Sequence, residues 1–405
     1  MDQVFELIKK EEERQAETLM LIPSENYSSR AVREAVGSVL GHKYAEGYPG
    51  KRYYQGNEVT DEIETLAQER GKEIFGLDYI NVQPYSGSPA NSAVLFGLLN
   101  PGEKVMGLKL SAGGHLTHGH PKVTFSGKYY ESVQYDVEED GRINYSKLEQ
   151  FIDQNRPKLI FVGTTAYPYI FDFKKFGEMA DVVGAWLVAD ISHIAGLVVA
   201  GVHPSPVPYV HLMTSTTHKT LRGPRGAIIG VTKKGLEKDP ALGKKVDSAV
   251  FPGLQGGPHM NTIAGMAVAF EETKTKEFQE YAKRTVENAK VLADELKSLG
   301  FRVFGSENHL MVVDVGFEKG KEMAVALEKA GIVVNANTIP HDEAKPFKPS
   351  GIRIGTPAMS SRGMGVEEMK QIARWIKRVG DNQDNDEVLE LVRRGVKEMC
   401  MRFPI

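Results

Sequence analysis

The chain has 405 residues, and its 50 Lys plus Arg against 53 Asp plus Glu leave a formal net charge of −3. Mixed, near-neutral charge argues against a nucleic-acid-wrapping surface or a polybasic membrane face. The single cysteine, Cys400, excludes an internal disulfide and every paired-cysteine metal or redox motif. Glycine is in excess, 41 of 405 residues, where roughly 7% is usual, so close backbone approach is expected somewhere.

Residues 1–10 read as an amphipathic helix, without the basic and apolar regions of a signal peptide. The longest stretch free of Lys, Arg, Asp and Glu, 191–218, is interrupted by Pro204, Pro206 and Pro208, so it reads as core and site lining, not as a membrane span. A cytoplasmic protein with no membrane partner is expected. After the first helix, the Tyr- and Gly-dense stretch 44–56 reads as an ordered loop, and a helical period over 60–75 ends at Gly76. Strand candidates at 79–83, 104–107, 132–135, 159–163, 186–189, 212–214 and 227–231 then alternate with helical patterns such as 88–99 and 145–154. This alternation predicts an α/β domain with a mixed, mostly parallel sheet covered on both faces. A long charged helix over 273–299 leads to a smaller α+β region: a strand at 310–315, a helix at 320–330, a strand at 332–335, and two helices separated by Gly380-Asp381-Asn382. The expected division is an N-terminal helical arm 1–25, a large domain 26–278 and a small domain 279–405.

The most informative window is Thr214-Ser215-Thr216-Thr217-His218-Lys219-Thr220-Leu221-Arg222-Gly223-Pro224-Arg225-Gly226. A lysine amid hydroxyls at a strand end, with two arginines near and almost no acid, is poorly placed for a surface salt bridge. Low exposure and neighbouring cations lower a lysine's pKa and make it nucleophilic. Such lysines form Schiff bases with pyridoxal phosphate, whose ring nitrogen needs an acidic partner. Asp190, ending the apolar run Trp186-Leu187-Val188-Ala189, stands where ligands dock in α/β sheets. Ser86-Gly87-Ser88-Pro89-Ala90-Asn91 follows a strand and opens a helix, offering hydroxyls and backbone N–H groups to a phosphate. In Gly113-Gly114-His115-Leu116-Thr117-His118-Gly119-His120, the local sequence holds no acid or cysteine to complete a metal site. A histidine stacked on a flat cofactor is the preferred reading, and no metal is expected.

With these residues the chain resembles the serine hydroxymethyltransferase family over nearly its whole length. The resemblance rests on Ser24-Glu25-Asn26-Tyr27, the block from Lys43 to Tyr54, Ser86-Gly87-Ser88 and Gly113 to Gly119. It continues through Asp190, His193 to Leu197, Thr216 to Gly226, Phe251-Pro252-Gly253, Gln255 to Pro258 and Ser350 to Ala358. It implies the fold type I, aspartate aminotransferase-like architecture of pyridoxal-phosphate enzymes, with interconversion of serine and glycine and tetrahydrofolate as one-carbon carrier. On that pattern Lys219 carries pyridoxal phosphate covalently, Asp190 pairs with the ring nitrogen, and His115 stacks on the ring. Thr165 and His193 lie near the ring hydroxyl; Ser86, Gly87, Ser88 and His218 hold the phosphate, with Tyr44 and Gly257 contributed by a second subunit. Arg353 clamps the substrate carboxylate with Ser24 and Tyr54 close by. Glu46 is the acid–base group, which burial would tune towards neutral pH. Leu110, Gly114, Leu116 and Asn337 are the folate-side contacts. An obligate homodimer is implied, a tetramer being the open alternative, and no nucleic-acid partner.

The chain departs from the commonest family pattern at a few positions. Thr165 stands where serine is usual, Pro89 replaces a frequent glutamine, Ser111-Ala112 precede the double glycine, and Tyr169 occupies a position often basic. The pterin-side changes leave a modified pterin in place of folate as an alternative. A folate-independent aldolase of the same fold is the other, although the Tyr44 to Tyr54 block with Glu46 argues against it.

Overall fold

The computed structural model describes residues 2–121, 123–345 and 347–405; Met1, at the start of the expected arm, lies outside them. The helix Gln3–Glu17 is capped by the Asp2 carboxylate, which accepts from the Val4 N–H at 2.9 Å. It is followed by strand β1 (Leu19–Met20), so the arm is helical only through Glu17. The Tyr- and Gly-rich stretch is a loop that contains a short hairpin, β2 (Gly47–Tyr48) with β3 (Lys51–Arg52).

The principal sheet has seven strands: β4 (Tyr79–Asn81), β5 (Lys104–Leu108), β6 (Glu131–Tyr135), β7 (Leu159–Gly163), β8 (Trp186–Asp190), β9 (Leu212–Thr216) and β10 (Ala227–Val231). Their spatial order is β4-β10-β9-β8-β7-β5-β6. Strands β6, β5, β7, β8 and β9 run parallel, while β10 runs against both β4 and β9. Two-residue alternation sends Met106, Leu108, Ile160, Val162, Leu187 and Ala189 into one core and Val105, Leu159, Phe161, Val188 and Leu212 into the other. A sheet buried on both faces explains why these strands read as continuous apolar runs.

Beyond the helix Lys276–Ser298 lies an antiparallel sheet of β11 (Arg302–Phe304), β12 (Leu310–Asp314), β14 (Asn335–Asn337) and β15 (Gly351–Gly355), in the order β11-β12-β15-β14. Strand β13 (Ile332–Val333) instead pairs in parallel with β1. The single strand expected over 332–335 is therefore two, serving different sheets. The long helix joins the two halves of the chain: Phe278, Tyr281 and Ala282 enter the large core, whereas Ala289, Leu292, Ala293 and Leu296 pack with β12, β15 and Leu19–Leu21. No helix among the described residues is long and apolar enough to cross a membrane.

Because β5, β7, β8 and β9 are parallel, the segments leaving their C-terminal ends share one edge of the sheet. That edge carries Leu110, Thr165, Asp190 and Lys219.

Candidate active site

Asp190 is the last residue of β8 and is buried. Its Oδ2 accepts from Asn91 Nδ2 at 2.8 Å and faces His118 Nε2 at 2.9 Å; its Oδ1 accepts from the Ser192 N–H at 3.1 Å and hydroxyl at 2.6 Å. Burial by itself raises this carboxyl. The hydrogen bond and charge of His118, the charge of His115 and the Ser192 hydroxyl overcome it and hold Asp190 well below the usual carboxylate range. A permanent buried anion results. His115, His118 and Asp190 bring their ligand atoms within 4.8 Å of one another. The histidine window lacked an acid in sequence, and the fold supplies one from 72 residues away. That carboxylate is already committed to Asn91, His118 and Ser192. Asn91 and His118 fall in the sequence motifs without roles of their own, and the fold gives them the Asp190 carboxylate; a polar Asn on an otherwise apolar helix face is the signal that marks the first.

Lys219 lies three residues past the end of β9. Desolvation pulls its ammonium down to about 8, with Asp190 opposing the fall and Arg353 and Arg225 adding to it. The loop is held through backbone: Asn26 Nδ2 donates to the Lys219 carbonyl at 3.0 Å and Tyr281 Oη to the Thr220 carbonyl at 3.1 Å. The Thr220 hydroxyl donates to the His193 carbonyl at 2.9 Å. His115 bonds Thr117 Oγ1 at 2.7 Å through Nδ1, and burial pushes its imidazole down to about 4, helped by His118. It is a neutral ring at physiological pH.

The helix Gly87–Leu98 begins beside β9. A Cβ on Gly87 would stand 2.8 Å from Thr216 Cγ2, so the close approach requires glycine. Ser86 occupies the cap position but its hydroxyl makes no capping bond, and Ser86 and Ser88 are exposed. Nearby, Thr216 Oγ1 and His218 Nδ1 are buried and have no hydrogen-bond partner among the described residues. Free hydroxyls, an imidazole and the N–H groups of a helix start form a cradle suited to a phosphate dianion. With a nucleophilic amine and a buried carboxylate, this donor set fits pyridoxal phosphate.

Arg353 projects from β15. Its Nε donates to Asn335 Oδ1 at 3.0 Å and Nη1 to the Thr165 carbonyl at 2.6 Å, leaving Nη2 without a hydrogen bond among the described residues. Burial draws the guanidinium down to about 10, opposed by Glu25. Pro23 packs on Gly355, bringing the turn that holds Ser24 across the end of β15. Thr165 Oγ1 donates to the Gly114 carbonyl at 2.9 Å, tying β7's exit to the glycine pair. His193 is buried with its Nδ1 3.2 Å from Nε2 of His309, a residue no motif marked.

The remaining residues form two patches. Leu110 and Leu116 are exposed, Gly114 packs on Leu108 backbone, and the Thr338 hydroxyl donates to the Ser111 carbonyl at 3.0 Å, bringing the strand that ends at Asn337 to this turn. Tyr44 and Tyr54 lie with ring centroids 5.2 Å apart, both exposed, and Gly257 approaches the Tyr44 ring. Glu46, half-buried, lies near Gly256 and acts on Tyr85; the charges acting on Lys219 are those of Asp190, Arg353 and Arg225. Arg52 fixes Glu46 from below: its guanidinium donates to the Ala45 and Gly47 carbonyls at 2.8 and 2.9 Å and pairs with Asp61 and Glu64 at 2.8 and 2.6 Å.

A buried carboxylate ending one strand, a depressed lysine after the next and a glycine–serine helix start beside them define the class: a pyridoxal-phosphate enzyme of the fold type I architecture. Residues 1–376 match the family model described as serine hydroxymethyltransferase. Proteins named serine hydroxymethyltransferase from Acidothermus cellulolyticus and Methanosarcina barkeri are each 52% identical, over 99% and 100% of this chain and 95% and 97% of their own lengths. One from Desulfotalea psychrophila is 49% identical over 99% of this chain and 94% of its own. The chain belongs to the serine hydroxymethyltransferase family, and is a pyridoxal-phosphate-dependent one-carbon transferase that interconverts serine and glycine with folate as carrier.

Proposed function

We propose that Lys219 holds pyridoxal phosphate covalently and that the residues around it divide the labour of the serine–glycine reaction. The observation that carries this is the placement of Lys219 just past β9, next to the buried Asp190 that ends the neighbouring β8 and to the Gly87 helix start with Thr216 Oγ1 and His218 Nδ1 free of partners among the described residues. When bound, the group supplies an electron sink at the substrate's Cα. Asp190, a buried anion, would pair with the ring nitrogen and keep it protonated. Neutral His115 would cover the ring face, and Thr165 and His193 would serve the ring oxygen. Ser86, Gly87, Ser88 and His218 receive the phosphate.

Arg353, held by Asn335 and the Thr165 carbonyl, binds the substrate carboxylate, with Ser24 and Tyr54 at its margin. Glu46 moves the proton at the hydroxymethyl oxygen. Leu110, Gly114, Leu116 and Asn337 receive the reduced folate. The exposed Tyr44 and Tyr54, the half-buried Glu46 between them and the adjacent Gly257 act across an interface on the site of a second copy, making the enzyme an obligate homodimer. We further propose the division into 1–25, 26–278 and 279–405 and a cytoplasmic location.

An absorbance spectrum of purified protein tests the cofactor assignment. A visible band that borohydride abolishes, with the label recovered on Lys219, is the expected result. Protein that stays colourless when supplied with pyridoxal phosphate would refute it. Comparing turnover with tetrahydrofolate and with a modified pterin then separates the two carriers.

A further inference from the structure

His193 and His309 form a buried imidazole pair that leaves one nitrogen unaccounted for. Nδ1 of His193 and Nε2 of His309 are 3.2 Å apart, and Nδ1 of His309 is enclosed with no hydrogen-bond partner among the described residues. Burial pushes both rings far down, His309 to about 3, with Arg353 and Lys219 adding to the effect on each and His203 also acting on His309. Both rings are therefore neutral, and between two neutral imidazoles one nitrogen donates and the other accepts.

The two arrangements are unequal. If Nδ1 of His193 donated, His309 would carry its proton on Nδ1, enclosing an N–H with nothing to receive it. In the reverse arrangement His309 donates from Nε2, and only a ring lone pair is left unmatched. Orphaned buried donors are rarer than orphaned acceptors, because an unmade hydrogen bond from an N–H forfeits its full solvation. The same pattern holds at His118, whose Nε2 faces the ionised Asp190, an obligate acceptor, while its Nδ1 is enclosed with no partner among the described residues. The His309 backbone is itself pinned: Thr356 N–H donates to its carbonyl at 3.1 Å, and the Asn308 side chain accepts from Leu310 N–H at 3.0 Å.

We propose that His309 is a positioning residue that sets the tautomer of His193, placing the His193 proton on Nε2 for donation to the cofactor's ring oxygen. This rests on the assignment of His193 beside that oxygen. A donor there stabilises the ring oxygen as an anion and so favours the visible-absorbing form of the lysine-bound cofactor. His309 needs no contact with cofactor or substrate to exert the effect.

Two measurements test it. In the apo protein labelled with nitrogen-15 histidine, long-range proton–nitrogen spectra assigned with His193→Asn and His309→Gln report the tautomers directly. His193 bare at Nδ1 and protonated at Nε2 is expected; the opposite tautomer overturns the proposal, with no cofactor involved. In the holoenzyme, His309→Gln keeps an amide N–H near the position of Nε2 and should retain the wild-type ratio of visible to near-ultraviolet absorbance. His309→Leu should lower that ratio about tenfold, the scale of one hydrogen bond to a charged oxygen. An unchanged ratio in folded, cofactor-loaded His309→Leu also overturns it. If that variant does not fold, the wild-type tautomer decides. Wild-type protein with no borohydride-sensitive label on Lys219 would instead defeat the cofactor assignment, a separate failure.

Discussion

His118 and Asp190 meet at 2.9 Å inside the wall of the large sheet, and the His118 ring is stacked on Phe161 with centroids 4.7 Å apart. The aromatic stack fixes the ring plane and the carboxylate fixes which nitrogen bears the proton. His118→Leu keeps the stack's apolar contact but leaves Asp190 short of a donor. Breaking a buried pair of this kind costs about 3 kcal/mol, and thermal unfolding of the apo chain is expected to show it.

The same variant carries a pH signature. A carboxyl held below its unfolded value stabilises the fold fully above the ordinary carboxylate range, and that contribution is lost as pH falls through the folded value. Because the wild-type Asp190 lies well below that range, its contribution persists into strong acid. Removing the His118 donor leaves burial to raise the carboxyl. Acid unfolding of His118→Leu, followed by near-ultraviolet circular dichroism, should therefore begin at higher pH than in wild type.

Lys219 predicts a second profile. An amine attacks a carbonyl only when neutral, and this one loses its proton around 8, against 10.5 for a free lysine. Capture of pyridoxal phosphate by the apo chain, trapped with borohydride, should rise about tenfold per pH unit below that value and level off above it. Arg353 is one of the charges holding the amine down, so Arg353→Leu should move the midpoint upward. A midpoint near 10 in wild-type protein would contradict the desolvated environment.

Most of the framework was legible because β5, β7, β8 and β10 are apolar runs and the edge strand β6 alternates, each set between helical patterns, and burial on one or both faces leaves that trace in composition. What was not legible has particular causes. Leu19–Met20 pairs with Ile332–Val333, and two residues of strand carry no period. The reversal of β10 depends on which neighbours it finds, a property of the folded sheet. Lys219, Asp190 and Arg353 announced themselves through the residues flanking them. Asn91, His118 and His309 gain their chemistry only from partners 99, 72 and 116 residues away, respectively. The glycine excess is explained in part by the site, as at Gly87, and in part by tight packing elsewhere, as at Gly230 against Leu77.

Arg353 Nη2 makes no hydrogen bond among the described residues, while Nε and Nη1 are held at 3.0 and 2.6 Å by Asn335 and Thr165. A lysine there keeps the charge but cannot be held by two protein acceptors and still present a planar fork to a carboxylate. Arg353→Lys should raise KM for serine and glycine by about a hundredfold, near 2.7 kcal/mol of charge-assisted hydrogen bonding. Its visible cofactor band should survive, since no group assigned to the cofactor is altered. Steady-state kinetics with both amino acids, beside the spectrum, check this.

Glu46 gives the most discriminating experiment, because its assigned role has both a chemistry and an address. Glu46→Gln should retain pyridoxal phosphate and bind glycine, yet lose most folate-dependent serine cleavage, since an amide of nearly the same shape cannot move the proton. The address follows from the loop that carries Glu46, which presents Tyr44 and Tyr54 exposed on either side of it. Co-refolding Lys219→Ala chains with Glu46→Gln chains separates the alternatives. If Glu46 serves the neighbouring site, each mixed dimer holds one site with an intact lysine from one chain and an intact glutamate from the other. Random pairing then restores about a quarter of wild-type activity, because half the dimers are mixed and each has one working site of two. If Glu46 serves its own chain, every site in the mixture lacks one group, and activity stays at the level of the separate variants.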